Sequence, residues 1–125
     1  MSDFSPDFPV VIYHNPRCST SRAALALLTD NGYAPQVVEY LKTGWDKDTL
    51  KALAKEAGGL KALLRAKEPL AVELGLKSAT DAVLLKAMIA HPILVERPIV
   101  STPKGAVVAR PMTQINAVLD RVIAE

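Results

Sequence analysis

The stretch from Pro9 to Leu41 limits the fold more than any other part of the chain. Pro9-Val-Val-Ile-Tyr13 is a short, β-branched apolar run and reads as a buried strand. His14 to Ser21 is polar and contains a proline, so the chain leaves the sheet there as a loop. From Arg22, the residues Ala23, Ala24, Leu27 and Leu28 recur at helical spacing, with Ser19, Thr20 and Ser21 as candidate N-caps. Asn31-Gly32 supplies the stop, and Gln36 to Leu41 reads as a second strand. Strand, loop, helix and strand in that order form a βαβ crossover, which requires the two strands to run parallel.

The middle of the chain has another character. Asp46 caps a predicted helix carrying Leu50, Leu53, Ala54 and Ala57 and stopped by Gly58-Gly59. Leu60 to Ala66 and Glu68 to Leu74 read as short helical segments, and Ser78 or Thr80 begins another with Val83, Leu84, Ala87 and Met88 on one face. Strands return with Ile99 to Thr102 and Ala106 to Arg110, joined by Pro103-Lys-Gly105 as a hairpin. Thr113 to Ala124 is a predicted amphipathic helix with Ile115, Val118, Leu119 and Val122 inward. The expected fold is α/β with a mixed sheet, in the order β-α-β, helical insert, β-β-α. With no Ser- or Gly-rich linker, residues 1–125 read as one domain with a helical insertion at about 43–92.

Composition narrows the function classes. The chain has 125 residues, 50% of them hydrophobic and 22% charged, which suits a domain with its own core and argues against disorder. Its longest apolar run, Ala23 to Leu28, is far below the roughly 20 residues of a membrane span. Fifteen Lys and Arg against thirteen Asp and Glu leave a charge of +2, too little to mark a nucleic-acid binder. Lys42, Lys47, Lys51 and Lys55 read as a solvated face, and Trp45 as a packing residue at the entry to the insert. Met1 to Asp7 lacks the pattern of a secretory leader or transit peptide, so a cytoplasmic location is expected.

There is one cysteine, Cys18, and there are two histidines, His14 and His91. No disulfide can form within the chain, and a structural zinc site would be short of ligands, so no metal is expected. Cys18 falls between the end of a strand and the start of a helix. The unpaired N–H groups and the dipole of the first helical turn favour a thiolate there and can also bind an anion. His14, Arg17 and Arg22 are near in sequence, though the last two read equally well as surface charges.

His14-Asn-Pro-Arg-Cys-Ser-Thr-Ser-Arg22 with the Leu-rich helix behind it resembles the active-site segment of ArsC-type arsenate reductases, the class that uses glutathione and glutaredoxin. The likeness continues through Leu64-Arg-Ala-Lys-Glu-Pro69, through His91-Pro-Ile-Leu-Val-Glu-Arg-Pro98-Ile-Val, and through Ala109-Arg-Pro111. The resemblance implies a thioredoxin-like fold, Cys18 as the nucleophile and His14 as the histidine beside it. It also implies that Arg65, Arg97 and Arg110 bind the oxyanion and that Pro98 occupies the position of the fold's cis-proline. Ser19 stands where the family commonly has glycine. The implied reaction is reduction of arsenate to arsenite with no bound cofactor, glutathione being a co-substrate and glutaredoxin a partner. Two alternatives stay open: a related thiol oxidoreductase acting on another substrate, and a non-catalytic regulatory adaptor of the Spx type. The adaptor commonly carries a Cys-x-x-Cys switch, which Cys18-Ser-Thr-Ser21 lacks.

Overall fold

The computed structural model describes residues 8–124, so the segment on which the leader expectation rests lies outside the described residues. The described residues divide into two compact units, 8–39 with 97–124, and 40–96.

The first unit is built on a four-stranded mixed sheet. Its strands are β1 (Val11–Tyr13), β2 (Gln36–Val38), β3 (Ile99–Thr102) and β4 (Gly105–Val108), in the order β2-β1-β3-β4. Helix α1 (Ser19–Asp30) makes the crossover between β1 and β2, which pair in parallel with Ile12 opposite Val37. β3 returns antiparallel to β1, with Ile12 opposite Val100, and β4 closes the hairpin. This is the thioredoxin-like arrangement.

α1 forms because Ala23 to Leu28 are strong helix formers. Ser21, Ala24 and Leu28 fall on its buried stripe. It ends where Gly32 takes φ +89°, a left-handed conformation that glycine adopts without steric cost. The stripe packs on Ile12 and Val100 of the sheet and on Ile115, Val118, Leu119 and Ile123. Burying a side chain such as Leu28 contributes about 1.5–3 kcal/mol, so this cluster anchors the helix whose first turn carries Cys18.

The last segment departs from expectation. Instead of an α-helix over 113–124, Met112–Ala117 forms a 3-10 helix, and the chain then turns and runs out irregularly. Val122 consequently points to solvent at 82% exposure, while Ile123 is buried. The Asn116 amide clasps Ile123 at both its backbone groups, donating to its carbonyl and accepting from its N–H. The second strand is also shorter than predicted, because Tyr40 already begins a helix.

The second unit is helical: α2 (Tyr40–Thr43), α3 (Lys47–Ala57), α4 (Leu60–Leu63), α5 (Pro69–Glu73) and α6 (Asp81–Ala90). Its punctuation follows the sequence. The Asp46 carboxylate accepts the Thr49 N–H at 3.0 Å, Gly58 ends α3 at φ +104°, and the Thr80 hydroxyl caps α6. Trp45 is buried and stacks on Tyr40 at 5.1 Å, as a packing residue should. Lys42, Lys47, Lys51 and Lys55 are exposed. Among the described residues, no helix is long and apolar enough to cross a membrane.

Candidate active site

Cys18 is itself the N-cap of α1, one position before the residues expected to cap it. An N-cap side chain normally accepts the N–H groups two and three residues on. Here those donors belong to Thr20 and Ser21, and they favour the thiolate. Burial, the largest single influence, pushes the thiol up. The Ser21 N–H, the charge of Arg97, the Thr20 N–H and a hydrogen bond from Arg97 together outweigh it, so the thiol lies below its ordinary value.

A second arginine reaches the sulfur. Arg110 Nη1 lies 4.0 Å from Cys18 Sγ and donates to the Arg97 carbonyl at 3.3 Å. Arg97 and Arg110 flank the hairpin, one before β3 and the other after β4. The Ala109 N–H donates to the Pro98 carbonyl at 2.9 Å, which ties the two ends of the hairpin together. Both arginines precede a proline through a cis peptide bond, Arg97–Pro98 and Arg110–Pro111. Only the first had been matched to a cis position.

His14 is buried, and its N–H donates to the Val38 carbonyl at 2.8 Å. Its Nδ1 is 2.7 Å from Ser21 Oγ, which also accepts the Asn15 N–H at 3.0 Å. Burial first, then the charge of Arg22, lowers the histidine below its ordinary value against the opposing pull of Glu39. A neutral ring is the result. The fully buried Ser21 hydroxyl and Nδ1 share one hydrogen bond, so each satisfies the other in the interior. His14 therefore fixes the loop around Cys18 through Ser21.

Two further contacts brace the loop. The Asn15 carboxamide accepts the Arg17 N–H at 3.0 Å, and Arg22 Nη1 donates to the Pro16 carbonyl at 2.8 Å. Arg22 thus has a structural partner. Ser21 was read from sequence as one of three possible caps, and its part in the site was missed. The signal was available: it shares the apolar stripe of Ala24 and Leu28, and a hydroxyl buried there needs a partner.

Arg65 belongs to the helical unit. Its guanidinium pairs with Glu68 at 2.9 Å, and its N–H donates to the Leu94 carbonyl at 2.7 Å. The Glu96 N–H reaches the Leu63 carbonyl at 2.7 Å, so the Arg65 backbone is held on both sides of the Leu64–Val95 bridge.

A thioredoxin-like sheet thus carries the chain's one cysteine as the N-cap of its first helix, beside a hairpin flanked by two arginines that each precede a proline. The chain belongs to the ArsC family, whose model matches residues 13–118. It is 49% identical over 115 residues to arsenate reductase ArsI2 of Synechocystis, covering 89% of this chain and 81% of that one. To the arsenate reductase of Neisseria meningitidis serogroup A it is 45% identical over 114 residues, covering 88% and 97%. The solved structure of an arsenate reductase from Vibrio cholerae superposes with a TM-score of 0.84 at 45% identity, covering 90% and 98%.

Proposed function

We propose that this chain reduces arsenate to arsenite, with Cys18 as nucleophile and with glutathione and glutaredoxin supplying the other thiols. The observation that carries this reading is the sulfur of Cys18, favoured as its anion by the helix N–H groups and Arg97, with Arg110 at 4.0 Å. Thiolate and arginines have complementary tasks. The guanidinium groups draw charge from the oxyanion oxygens, and the arsenic then accepts attack by an anionic sulfur. The family resemblance extends the same task to Arg65.

The electrons balance with two external thiols. The Cys18 thiolate attacks arsenic, a sulfur–arsenic bond forms, and one hydroxide leaves as water after protonation. Glutathione thiolate then attacks the Cys18 sulfur. A disulfide forms, the sulfur–arsenic bond breaks, and its electron pair stays on arsenic, which leaves as arsenite. A glutaredoxin thiolate takes the glutathionyl group and restores the Cys18 thiolate. The chain's single cysteine makes the outside thiols necessary.

The test is arsenate-dependent NADPH consumption with glutathione, glutaredoxin and glutathione reductase, for wild type and Cys18→Ser. Wild-type turnover lost in the variant, with its circular dichroism unchanged, supports the reading. A wild type active only on a small glutathionylated disulfide, with arsenate inert, replaces it with the general thiol oxidoreductase.

A further inference from the structure

Helix α6 is apolar on every side, with Asp81 and Lys86 its only charged residues. Such a helix ordinarily lies in a protein interior. Here Leu84 and Met88 are buried, whereas Ala82 and Val83 are exposed and Leu85 and Ile89 are half-buried. Ala82, Leu85 and Ile89 recur at helical spacing along one side of an open groove between α6 and α3. The other side is a row of lysines four apart on α3, Lys47, Lys51 and Lys55. The groove joins two concavities of about 490 and 350 Å³, which share Lys47, Ala82 and Leu85. We infer that it docks an acidic amphipathic helix of a partner protein, whose apolar face lies on α6 and whose carboxylates meet the α3 lysines. The surface lies wholly within the helical unit and does not depend on the chemistry at Cys18.

Charge decides the occupant. Like charges four apart on a helix repel one another, a cost that opposing carboxylates remove. Among the described residues no carboxylate stands within ion-pair distance of Lys47, Lys51 or Lys55. Lys86 adds a fourth ammonium from α6, and Asp81 is the one carboxylate of the lining. The dimensions suit a helix. The 11 residues of α3 span about 16 Å, and a helix laid beside them offers apolar anchors at the same spacing as Ala82, Leu85 and Ile89. Other occupants fit less well. A second copy paired about a two-fold axis would set the same lysines against each other. A lipid surface is flat on this scale and leaves a concavity unfilled. The lining holds no aromatic side chain on which a nucleic-acid base could stack.

The probe is a fluorescein-labelled peptide of about 15 residues, with leucine at helical spacing on one face and glutamate on both flanks. Fluorescence anisotropy is expected to show saturable binding to the full chain that weakens as salt is added. A second peptide with lysine in place of each glutamate should bind about tenfold more weakly or worse. Lys51→Glu reverses the middle charge of the row and Ala82→Trp fills the groove, and each should weaken the acidic peptide about tenfold. Both positions are exposed, so circular dichroism should be unchanged, and if one variant misfolds the other carries the test. No saturable binding, equal binding of the two peptides, or variants that bind the acidic peptide as wild type does overturns the inference. Flotation with vesicles of phosphatidylserine and phosphatidylcholine in place of peptide binding overturns it in favour of a membrane. A dimer in sedimentation that Ala82→Trp abolishes, again without peptide binding, overturns it in favour of a second copy.

Discussion

Arg110 Nη1 stands 4.0 Å from the sulfur of Cys18, although 92 positions separate the two residues. Neighbours in sequence fix where each one stands but do not bring the two together. Cys18 is set by the end of β1 and the first turn of α1, and Arg110 by the hairpin of β3 and β4. The pairing of β1 with β3, Tyr13 opposite Ile99, brings those two ends of the sheet together. Arg97, at the other end of the same hairpin, contributes the charge and hydrogen bond that, with the Ser21 and Thr20 N–H groups, lower the thiol against its burial.

Arg97 is expected to serve both nucleophile and oxyanion. Arg97→Ala should raise the thiol toward its ordinary value, read as the thiolate absorbance near 240 nm during a pH titration, because a charge and a hydrogen bond to the anion are lost. It should also weaken arsenate affinity or the chemical step by roughly 2–4 kcal/mol in kcat/KM. Arg97→Lys restores the charge without the planar fork, so the titration should recover more than the kinetics.

The acid limb of the pH–rate profile should follow the ionisation of Cys18. The thiol is lowered in the folded protein, so activity survives to lower pH than an ordinary cysteine allows. In Arg97→Ala the limb should move to higher pH, and a limb that stays put would assign it to another group.

Ser21→Ala removes a hydroxyl that bridges His14 Nδ1 and the Asn15 N–H in the interior. A stability loss of about 1–3 kcal/mol is expected in urea unfolding at neutral pH, since two polar groups lose their partner. The histidine adds a pH dependence. Its folded value lies below 6.5, so the unfolded chain binds the proton more readily, and stability present above that pH is lost as the solution is acidified through the folded value. His14→Gln should flatten that part of the curve relative to wild type.

Arg65→Ala should raise the KM for arsenate, the oxyanion task that the family resemblance gives this residue, and should leave the reaction of Cys18 with bis(2-hydroxyethyl) disulfide unchanged. Its partner Glu68 provides the control. Glu68→Gln removes the pair seen at 2.9 Å while keeping the guanidinium, and should retain arsenate turnover.

Tyr33 clasps the C-terminal segment to the end of α1. Its hydroxyl donates to Asp120 Oδ1, and the Arg121 guanidinium sits 4.7 Å over its ring. Burial, then the hydrogen bond and charge of Asp120, push the phenol up to about 12. The folded state therefore holds this proton more tightly than the unfolded chain, and stability should fall as pH rises from about 10 toward 12. Tyr33→Phe should cost about 1.5–3 kcal/mol near neutral pH and remove that alkaline dependence.

Much of the frame was legible because its signals are local. The β-branched run at Val11, the alanine and leucine spacing of α1, the Asn31-Gly32 stop and the caps at Asp46 and Thr80 each depend on residues within a turn or two. Position at a helix start singled out Cys18, whereas Arg65, Arg97 and Arg110 stood out only through the family resemblance. Local reasoning failed where a tertiary contact overrode periodicity. The pattern from Thr113 reads as helix only if 3.6 residues make a turn to the end, whereas the chain is 3-10 to Ala117 and then irregular, which exchanges Val122 for Ile123 in the core.

What the sequence determined by itself is the set of groups available: one thiol at a helix start, arginines before prolines, and a serine on an apolar stripe. Which of them meet was decided by the fold. Strand pairing brought Arg110 to Cys18 and burial turned Ser21 toward His14, because distance through space is set by sheet register and packing, neither of which is encoded within a few consecutive residues.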